Sequence, residues 1–562
     1  MSLALGFVYC AIVIRGHRQS PDQNAPATPE AYPDKALLFR WLSYSAIPAS
    51  LLFGTTTFII TDIASVPLLW IIPLMLYISS FVVAFSAREW NTLAVRRLYF
   101  PLGLLTLFSA AFYPLASRLG ITPIITVMLT LSALFVGAFL FHRRLYELRP
   151  SAKNSGLFYV VLASGGALGG CFNSFVAPQV FLTTVEFPLV LSLSLLVVLL
   201  PDFLSSNVRR KARFPYEIAA LTLLLLTGVK LYSSSNVHHF EGRYLVISGA
   251  LLLLVLFAAL LLSDWFYQTP RRGLLAILVS GLLAGYLAET TGASWIHAER
   301  NFFGISRVRE DKKHARFVYT HGVTIHGMQS TEDQYRLNPI SYYGPLRDIL
   351  AHMPVSVADA PIGALGLGIG TVACYAKPGQ EMDFYEIDPA SIHIATDPTY
   401  FTYMRDCAGK RSIIVGDARL TLTRAPDGRY GFIIMDVFTS DAIPMHLLTL
   451  EALTMYGKKL KPEGLIAINI SNQYLNLLPV IRTLSEELNW TARYRLNVVK
   501  NDALEVSSIW VVLAKEEKSL NLEQLPDWKP LPPETGNQYR WTDDFTNLLG
   551  VLRFRGGLAF AQ

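Results

Sequence analysis

Charge is what this chain has least of. Lys, Arg, Asp and Glu together make up 16% of its 562 residues, where ordinary soluble domains carry roughly 25%. The shortage is uneven: up to about Glu289 the chain is mostly long apolar runs, and beyond Thr290 its composition is that of a soluble α/β protein. Cysteine is scarce too. Cys10, Cys171, Cys374 and Cys407 include no CxxC pair, a pattern that argues against a disulfide framework and against a zinc site. No basic region precedes the short apolar stretch 2–14, so a cleavable signal peptide is not expected. That stretch reads as the tail of a helix, left by an internal start or a truncated N-terminus. The net charge of +6 is modest. Its arginines and lysines sit largely in short loops between apolar runs, where they report membrane topology better than nucleic-acid binding.

Crossing a bilayer takes about 20 apolar residues. Segments of that kind lie at about 42–61, 67–86, 98–115, 121–141, 156–177, 185–201, 216–233 and 244–263, with a weaker one at 273–289. With no water to satisfy their backbone they must be helices. The glycine run Ser164-Gly-Gly-Ala-Leu-Gly-Gly170 lies inside such a segment with no strand before it, so it reads as close helix packing rather than a phosphate loop. Asp62, Glu186 and Glu289 lie at turns or edges of these segments, and they read as interfacial caps and anchors. Basic residues fall on alternate loops, around Arg88, Arg96 and Arg97, then Arg143 to Lys153, then Arg209 to Arg213, then Arg271 and Arg272. These are the loops expected in the cytoplasm. A true crossing at 273–289 would then put the C-terminal part outside. Because that segment is short and contains glycine, it is read as interfacial or re-entrant, and the C-terminal domain is expected in the cytoplasm beneath an inner membrane.

The expected architecture is a multi-pass α-helical membrane domain over residues 1–289, a β-hairpin cap and linker helix over 290–355, and an α/β Rossmann-type, methyltransferase-like domain over 356–562. Phe317-Val-Tyr-Thr-His-Gly-Val-Thr-Ile-His-Gly-Met-Gln329 alternates with period two and breaks at glycine, as a hairpin does. His321 and His326, five apart on one strand, would face opposite ways, so no metal site is expected. A helix follows at about Tyr343 to His352. Then Ile362-Gly-Ala-Leu-Gly-Leu-Gly-Ile-Gly-Thr371 runs an apolar strand into Gly366, Gly368 and Gly370, and Met382-Asp-Phe-Tyr-Glu-Ile-Asp388 makes the next strand. Glycines alone fit a tight packing turn equally well. Joined to a strand-end acid, Glu386, placed to accept both ribose hydroxyls, they point to nucleoside binding. Ser412-Ile-Ile-Val-Gly-Asp417 ends a strand in an acid suited to an adenine amino group or to capping the next helix. Phe432-Ile-Ile-Met435 delivers Asp436 to the carboxyl edge of the sheet, where it serves a ligand or caps the loop Val437 to Ser440. His446 is suited to the cleft or to helix packing.

Taken together, these stretches resemble the spermidine synthase (polyamine aminopropyltransferase) family over about Asn301 to Lys515. The matching pieces are His321 to Gln329, Tyr342-Tyr-Gly-Pro345, the glycine loop, Tyr385-Glu-Ile-Asp-Pro389, Val415-Gly-Asp417, Asp436 to His446 and Trp541-Thr-Asp-Asp-Phe545. The whole chain is similar to bacterial membrane-fused spermidine synthase-like proteins. The resemblance implies decarboxylated S-adenosylmethionine (or S-adenosylmethionine) as cosubstrate, with no permanently bound cofactor. It assigns Gln329, Gly366, Gly368, Gly370, Glu386 and Asp417 to the donor, Asp436 and Asp441 to catalysis, and Tyr342 and Tyr343 to the amine pocket. The expected partners are the lipid bilayer and a polyamine or other amine, with no nucleic acid and self-association left open. In two places the chain departs from the family. Ile369 stands where the family's glycine loop carries an Asp, and the second acid, Asp441, is displaced by two residues. These departures keep two other readings in play: an S-adenosylmethionine-dependent methyltransferase, and a non-catalytic polyamine or nucleoside carrier or sensor.

Overall fold

The computed structural model describes residues 32–63, 68–86, 98, 102, 123–184, 186–191, 193–194, 295–437, 444–472, 474–499, 504–533 and 539–552. The expected segments 216–233, 244–263 and 273–289, and most of 98–115, lie outside the described residues. Four long helices form the N-terminal part: α1 (Lys35–Phe58), α2 (Ile71–Phe85), α3 (Pro123–Glu147) and α4 (Ser155–Cys171). Asp34 starts α1 by accepting the Leu37 N–H at 2.7 Å, as an N-cap carboxylate should. A π-turn, Ile59–Ile63, extends α1, and another, Phe172–Val176, extends α4. Among the described residues, three helical stretches, Lys35–Ile63, Ile125–Glu147 and Ser155–Val180, are long and apolar enough to cross a membrane.

The glycine run in α4 is a packing surface, as its composition implied. A Cβ on Gly165 would come within 2.6 Å of the Leu42 carbonyl, and one on Gly169 within 2.3 Å of the Ala46 carbonyl. The backbones of α1 and α4 therefore touch, which is what small residues four apart allow. Polar side chains lock the contact: Ser45 donates to the Leu162 carbonyl, and Asn173 donates to Ser50 and to the Gly169 carbonyl.

An antiparallel sheet of four strands follows, β1 (Trp295–Asn301), β2 (Gly304–Asp311), β3 (Arg316–His321) and β4 (Thr324–Ser330), paired in sequence order. The hairpin read from alternation is β3–β4, and two more strands precede it. A bulge between Tyr319 and Thr320 sets the register of β3 on β4, and bulges re-aim side chains. It overturns the expectation that His321 and His326 face apart: their rings are 5.7 Å apart.

Helix α5 (Gly344–Ala351) leads into an eight-stranded sheet ordered β12-β10-β11-β9-β8-β5-β6-β7. Its strands are β5 (Ile362–Leu365), β6 (Glu381–Glu386), β7 (Lys410–Val415), β8 (Tyr430–Met435), β9 (Leu460–Asn469), β10 (Thr491–Asn497), β11 (Ser508–Ala514) and β12 (Lys529–Pro530). Strands β5 to β9 are parallel, and β10 to β12 complete one side in antiparallel pairing. The turn expected at Lys461 to Gly464 is part of β9 itself. From β5 the chain winds through β6 to β7, then returns to the opposite side of β5 as β8. The switch point lies between β5 and β8, the place where doubly wound sheets bind ligands. The central strands β5, β8 and β11 are buried along their full length, the usual state of strands covered on both sides.

Cys374 and Cys407 form a disulfide, with Cα atoms 4.8 Å apart. Their separation of 33 residues carries no short-range motif, so spacing alone argued against any disulfide, and the fold corrects that reading.

Replacing Gly169 with Val drives a branched side chain into the α1 backbone. We expect Gly169→Val to destabilise the helical part by about 1–3 kcal/mol, as overpacking does. Thermal unfolding of the detergent-solubilised protein checks this, and a melting temperature equal to wild type would refute the close contact.

Candidate functional site

At the switch point the chain is drawn in tightly. Gly366 has φ +90°, and a Cβ there would lie 2.2 Å from the Asp436 carbonyl oxygen; only glycine tolerates both demands. The loop it opens and the end of β8 bound a cavity of about 250 Å³. Its lining includes Gly366, Gly368, Tyr342, Glu386, Asp388, Asp417, Asp436, His321, His326 and His446. Four of these are carboxylates, and none of the described lining residues is Lys or Arg. A concave site of that charge concentrates cations and repels phosphates.

Glu386, at the end of β6, accepts the N–H groups of Ile387 and Asp388 on Oε1, both at 2.8 Å, and that of Leu367 on Oε2 at 3.0 Å. Burial raises its carboxyl above the ordinary value, against the lowering effect of those N–H groups. Each carboxylate oxygen offers about two acceptor sites. Oε1 is therefore filled, and Oε2 keeps one acceptor place. Asp417 caps α7 (Ala418–Leu422) by accepting the Leu420 N–H at 2.9 Å on Oδ1, and its Oδ2 pairs with His446 Nε2 at 2.8 Å. Asp417 thus caps the helix, one of its two expected roles, and also lines the cavity, and His446 reaches the cleft.

Asp436, at the end of β8, is half-buried. Tyr343 donates its hydroxyl to Asp436 Oδ2 at 2.7 Å, and Asn469 Nδ2 donates to Oδ1 at 2.9 Å. The Tyr342 hydroxyl lies 3.2 Å from that of Tyr343. Burial pushes the Asp436 carboxyl up, and the hydrogen bonds from Tyr343, Asn469 and Tyr342 pull against it. Both tyrosines are raised well above the ordinary phenol value by burial and by the nearby Asp436 charge, so each stays a neutral donor. Sequence reasoning missed Asn469. The signal was there: β9 lies next to β8 in parallel, so their carboxyl ends meet.

Other expected site residues lie elsewhere. Gln329 is buried away from the cavity lining. It donates to the Arg336 carbonyl and to Thr402, and accepts the Thr402 N–H. It pins β4 to the segment around Thr402. Ile369 is wholly buried, with its side chain against Gly327, so no charge replaces the acid missing from the loop. Gly370 adopts a left-handed conformation at the start of the turn Thr371–Tyr375. Asp441 lies outside the described residues. Sequence also overlooked His326, which burial holds down to about 3, so it lines the cavity as a neutral imidazole. Apart from the cavity, His297 and Glu299 on β1 and His393 on α6 (Pro389–Thr396) hold ligand atoms within 4.8 Å of one another. This group could hold a metal ion where none was expected.

No family model matches the chain. It is 31% identical over 147 residues to the polyamine aminopropyltransferase of Vibrio vulnificus, a match covering 25% of this chain and 48% of that protein. Over those 147 residues the chain is spermidine synthase-like. The chain thus spans about half the length of that relative. A second match, 36% identical over 119 residues, is to an N-terminal histidine N-methyltransferase of Emericella nidulans, covering 20% of each. Among solved structures, a probable spermidine synthase from Corynebacterium glutamicum aligns at 17% identity with a TM-score of 0.30, over 40% of this chain and 79% of that one. In the spermidine synthase-like domain described here, the acids cluster where the glycine loop and the end of β8 converge.

Truncating the acid that braces that loop tests its role. We expect Glu386→Ala to abolish methylthioadenosine binding in calorimetry while circular dichroism stays that of wild type. Undiminished affinity in the folded variant would remove Glu386 from the nucleoside site.

Proposed function

We propose that this chain is a membrane-tethered aminopropyltransferase that moves an aminopropyl group from decarboxylated S-adenosylmethionine to an amine. The observation that carries this reading is Asp436, a half-buried carboxylate held by Tyr343 and Asn469 in a cavity whose described charged lining is acidic. Both reactants are cations, one a sulfonium and the other an ammonium, and an acidic cavity with no Lys or Arg among its described lining residues suits both.

In the reaction, the lone pair of the amine nitrogen attacks the carbon beside the sulfonium. The carbon–sulfur bond breaks, and its electron pair stays on sulfur as a neutral thioether. A protonated amine has no lone pair, so a base must take its proton. Asp436 is the group suited to that step, and the raised carboxyl makes it a better proton acceptor than an ordinary Asp once ionised. Tyr342 and Tyr343 orient the acid and border the amine. Glu386 would take a ribose hydroxyl on Oε2, and Asp417 keeps acceptor capacity for an adenine amino group. Much of the rate is expected from holding the two reactants in line.

A second reading has one observation in its favour. Ile369 leaves the glycine loop without a carboxylate to hold an aminopropyl ammonium, and a donor that transfers a bare methyl group needs none. The same Asp436 would then serve methyl transfer to an amine.

Two substitutions test Asp436. We expect Asp436→Asn to lower turnover by about 10² or more, as loss of a general base does, with nucleoside affinity and melting temperature nearly unchanged. Normal turnover in the folded variant would exclude the catalytic assignment. Tyr343→Phe removes a hydrogen bond that lowers the Asp436 carboxyl. Asp436 must be ionised to accept a proton, so activity rises with pH through its titration. The acid limb of the kcat/KM profile should therefore move to higher pH in Tyr343→Phe, and an unmoved limb would mean that another group titrates there.

A further inference from the structure

The helices have two unlike ends. Trp41, near the start of α1, donates its ring N–H to the Leu148 carbonyl just past α3 at 3.0 Å, and Phe85 at the end of α2 packs on Tyr146. One end of the bundle therefore gathers the start of α1 and the ends of α2 and α3. Lys35, Arg40, Arg143, Arg144 and Arg149 belong to it, and Arg88, Arg96 and Arg97 follow α2 in the sequence. The opposite end is acidic. Asp62, closing the π-turn after α1, accepts from Thr184 and pairs with Arg307 of β2 at 3.1 Å. Glu186 is paired on both oxygens by Arg300 of β1, at 2.6 and 3.0 Å. Those arginines belong to the antiparallel sheet, so the spermidine synthase-like domain docks on the end away from the basic residues. Of the ten Lys and Arg between residues 32 and 194, Arg118 alone precedes a helix start at that acidic end; the other nine lie at or next to the basic end in sequence. The 24 residues of α1 separate the two ends by about 36 Å, more than the hydrocarbon core of a bilayer.

Basic ends of membrane helices stay in the cytoplasm. A second observation, independent of charge, agrees. The docked domain carries the Cys374–Cys407 disulfide, and structural disulfides persist in oxidising compartments and are rare in the cytoplasm.

We propose that the spermidine synthase-like domain lies on the non-cytoplasmic face of the membrane and takes its amine acceptor from that compartment. The disulfide forms there as two thiols give up two protons and two electrons to a thiol-oxidising disulfide donor. This replaces the cytoplasmic placement expected from the weak segment 273–289, because the docking end of the bundle decides the side without counting later crossings. The identity of the acceptor compartment rests on the transfer reading above, while the side of the membrane does not. One consequence follows for supply. An adenosyl sulfonium is a permanent cation that does not cross a bilayer unaided, so a carrier has to deliver it to the outer face.

The test is thiol labelling of the full chain in intact cells, with Cys10 and Cys171 changed to serine. Val355, 93% exposed in the docked domain, becomes Val355→Cys, and Ala152, exposed at the basic end, becomes Ala152→Cys. With a membrane-impermeant maleimide, Val355→Cys should label in intact cells and Ala152→Cys only after permeabilisation. Without either added cysteine, Cys374 and Cys407 should resist alkylation until a reductant is supplied. Val355→Cys protected until lysis, or Cys374 and Cys407 reactive without reductant in acid-quenched cells, would overturn the proposal. Neither readout depends on activity, so a failed transfer assay leaves the topology result standing, and the reverse.

Discussion

The contact between Gly366 and the Asp436 carbonyl is the constraint on which the site depends. A doubly wound sheet parts at its switch point, and here the two strands that part, β5 and β8, end in a glycine loop and an acid. Because no side chain fits at Gly366, the loop lies against the end of β8, and one cavity serves both. Glu386, delivered by β6 beside β5, then braces the loop from the other side through the Leu367 N–H. Substituting any bulkier residue at Gly366 would push the glycine loop away from the end of β8.

Electrostatics gives the cavity its selectivity. Burying a carboxylate is costly unless donors compensate it, and Asp436 receives a phenol and an amide while its carboxyl stays raised. That balance leaves an acid poised to ionise and to bind a cation. The same logic works at the junction with the helices. The Arg300–Glu186 pair is nearly inaccessible to solvent on both sides. Removing one partner of such a pair leaves an unpaired buried charge, which costs about 3–5 kcal/mol. Asp62 and Glu186, read from sequence as interfacial anchors, do anchor the structure, but to arginines of the antiparallel sheet.

Much of the α/β fold could be read from sequence because its signals are local. The strand into Gly366, the strand into Glu386 and the apolar run into Asp436 each announce themselves within ten residues, and the glycine stripe of α4 announces its packing. What escaped was set by pairing between distant segments. A bulge turned His326 toward His321. The neighbour relation of β8 and β9 brought Asn469 to Asp436. The Cys374–Cys407 bond joins positions 33 apart, and Gln329 was claimed by Thr402, 73 residues away. Capacity was also invisible: the folded backbone already places two N–H groups on one oxygen of Glu386.

The central claim is that this cavity joins an adenosyl sulfonium to an amine by moving an aminopropyl group. The most direct measurement gives the purified full-length protein a polyamine together with decarboxylated S-adenosylmethionine, or with S-adenosylmethionine, and identifies products by mass spectrometry. The account predicts an aminopropylated amine and methylthioadenosine from the first donor and no alkylated amine from the second. A methylated amine from the second donor, with nothing from the first, would contradict it.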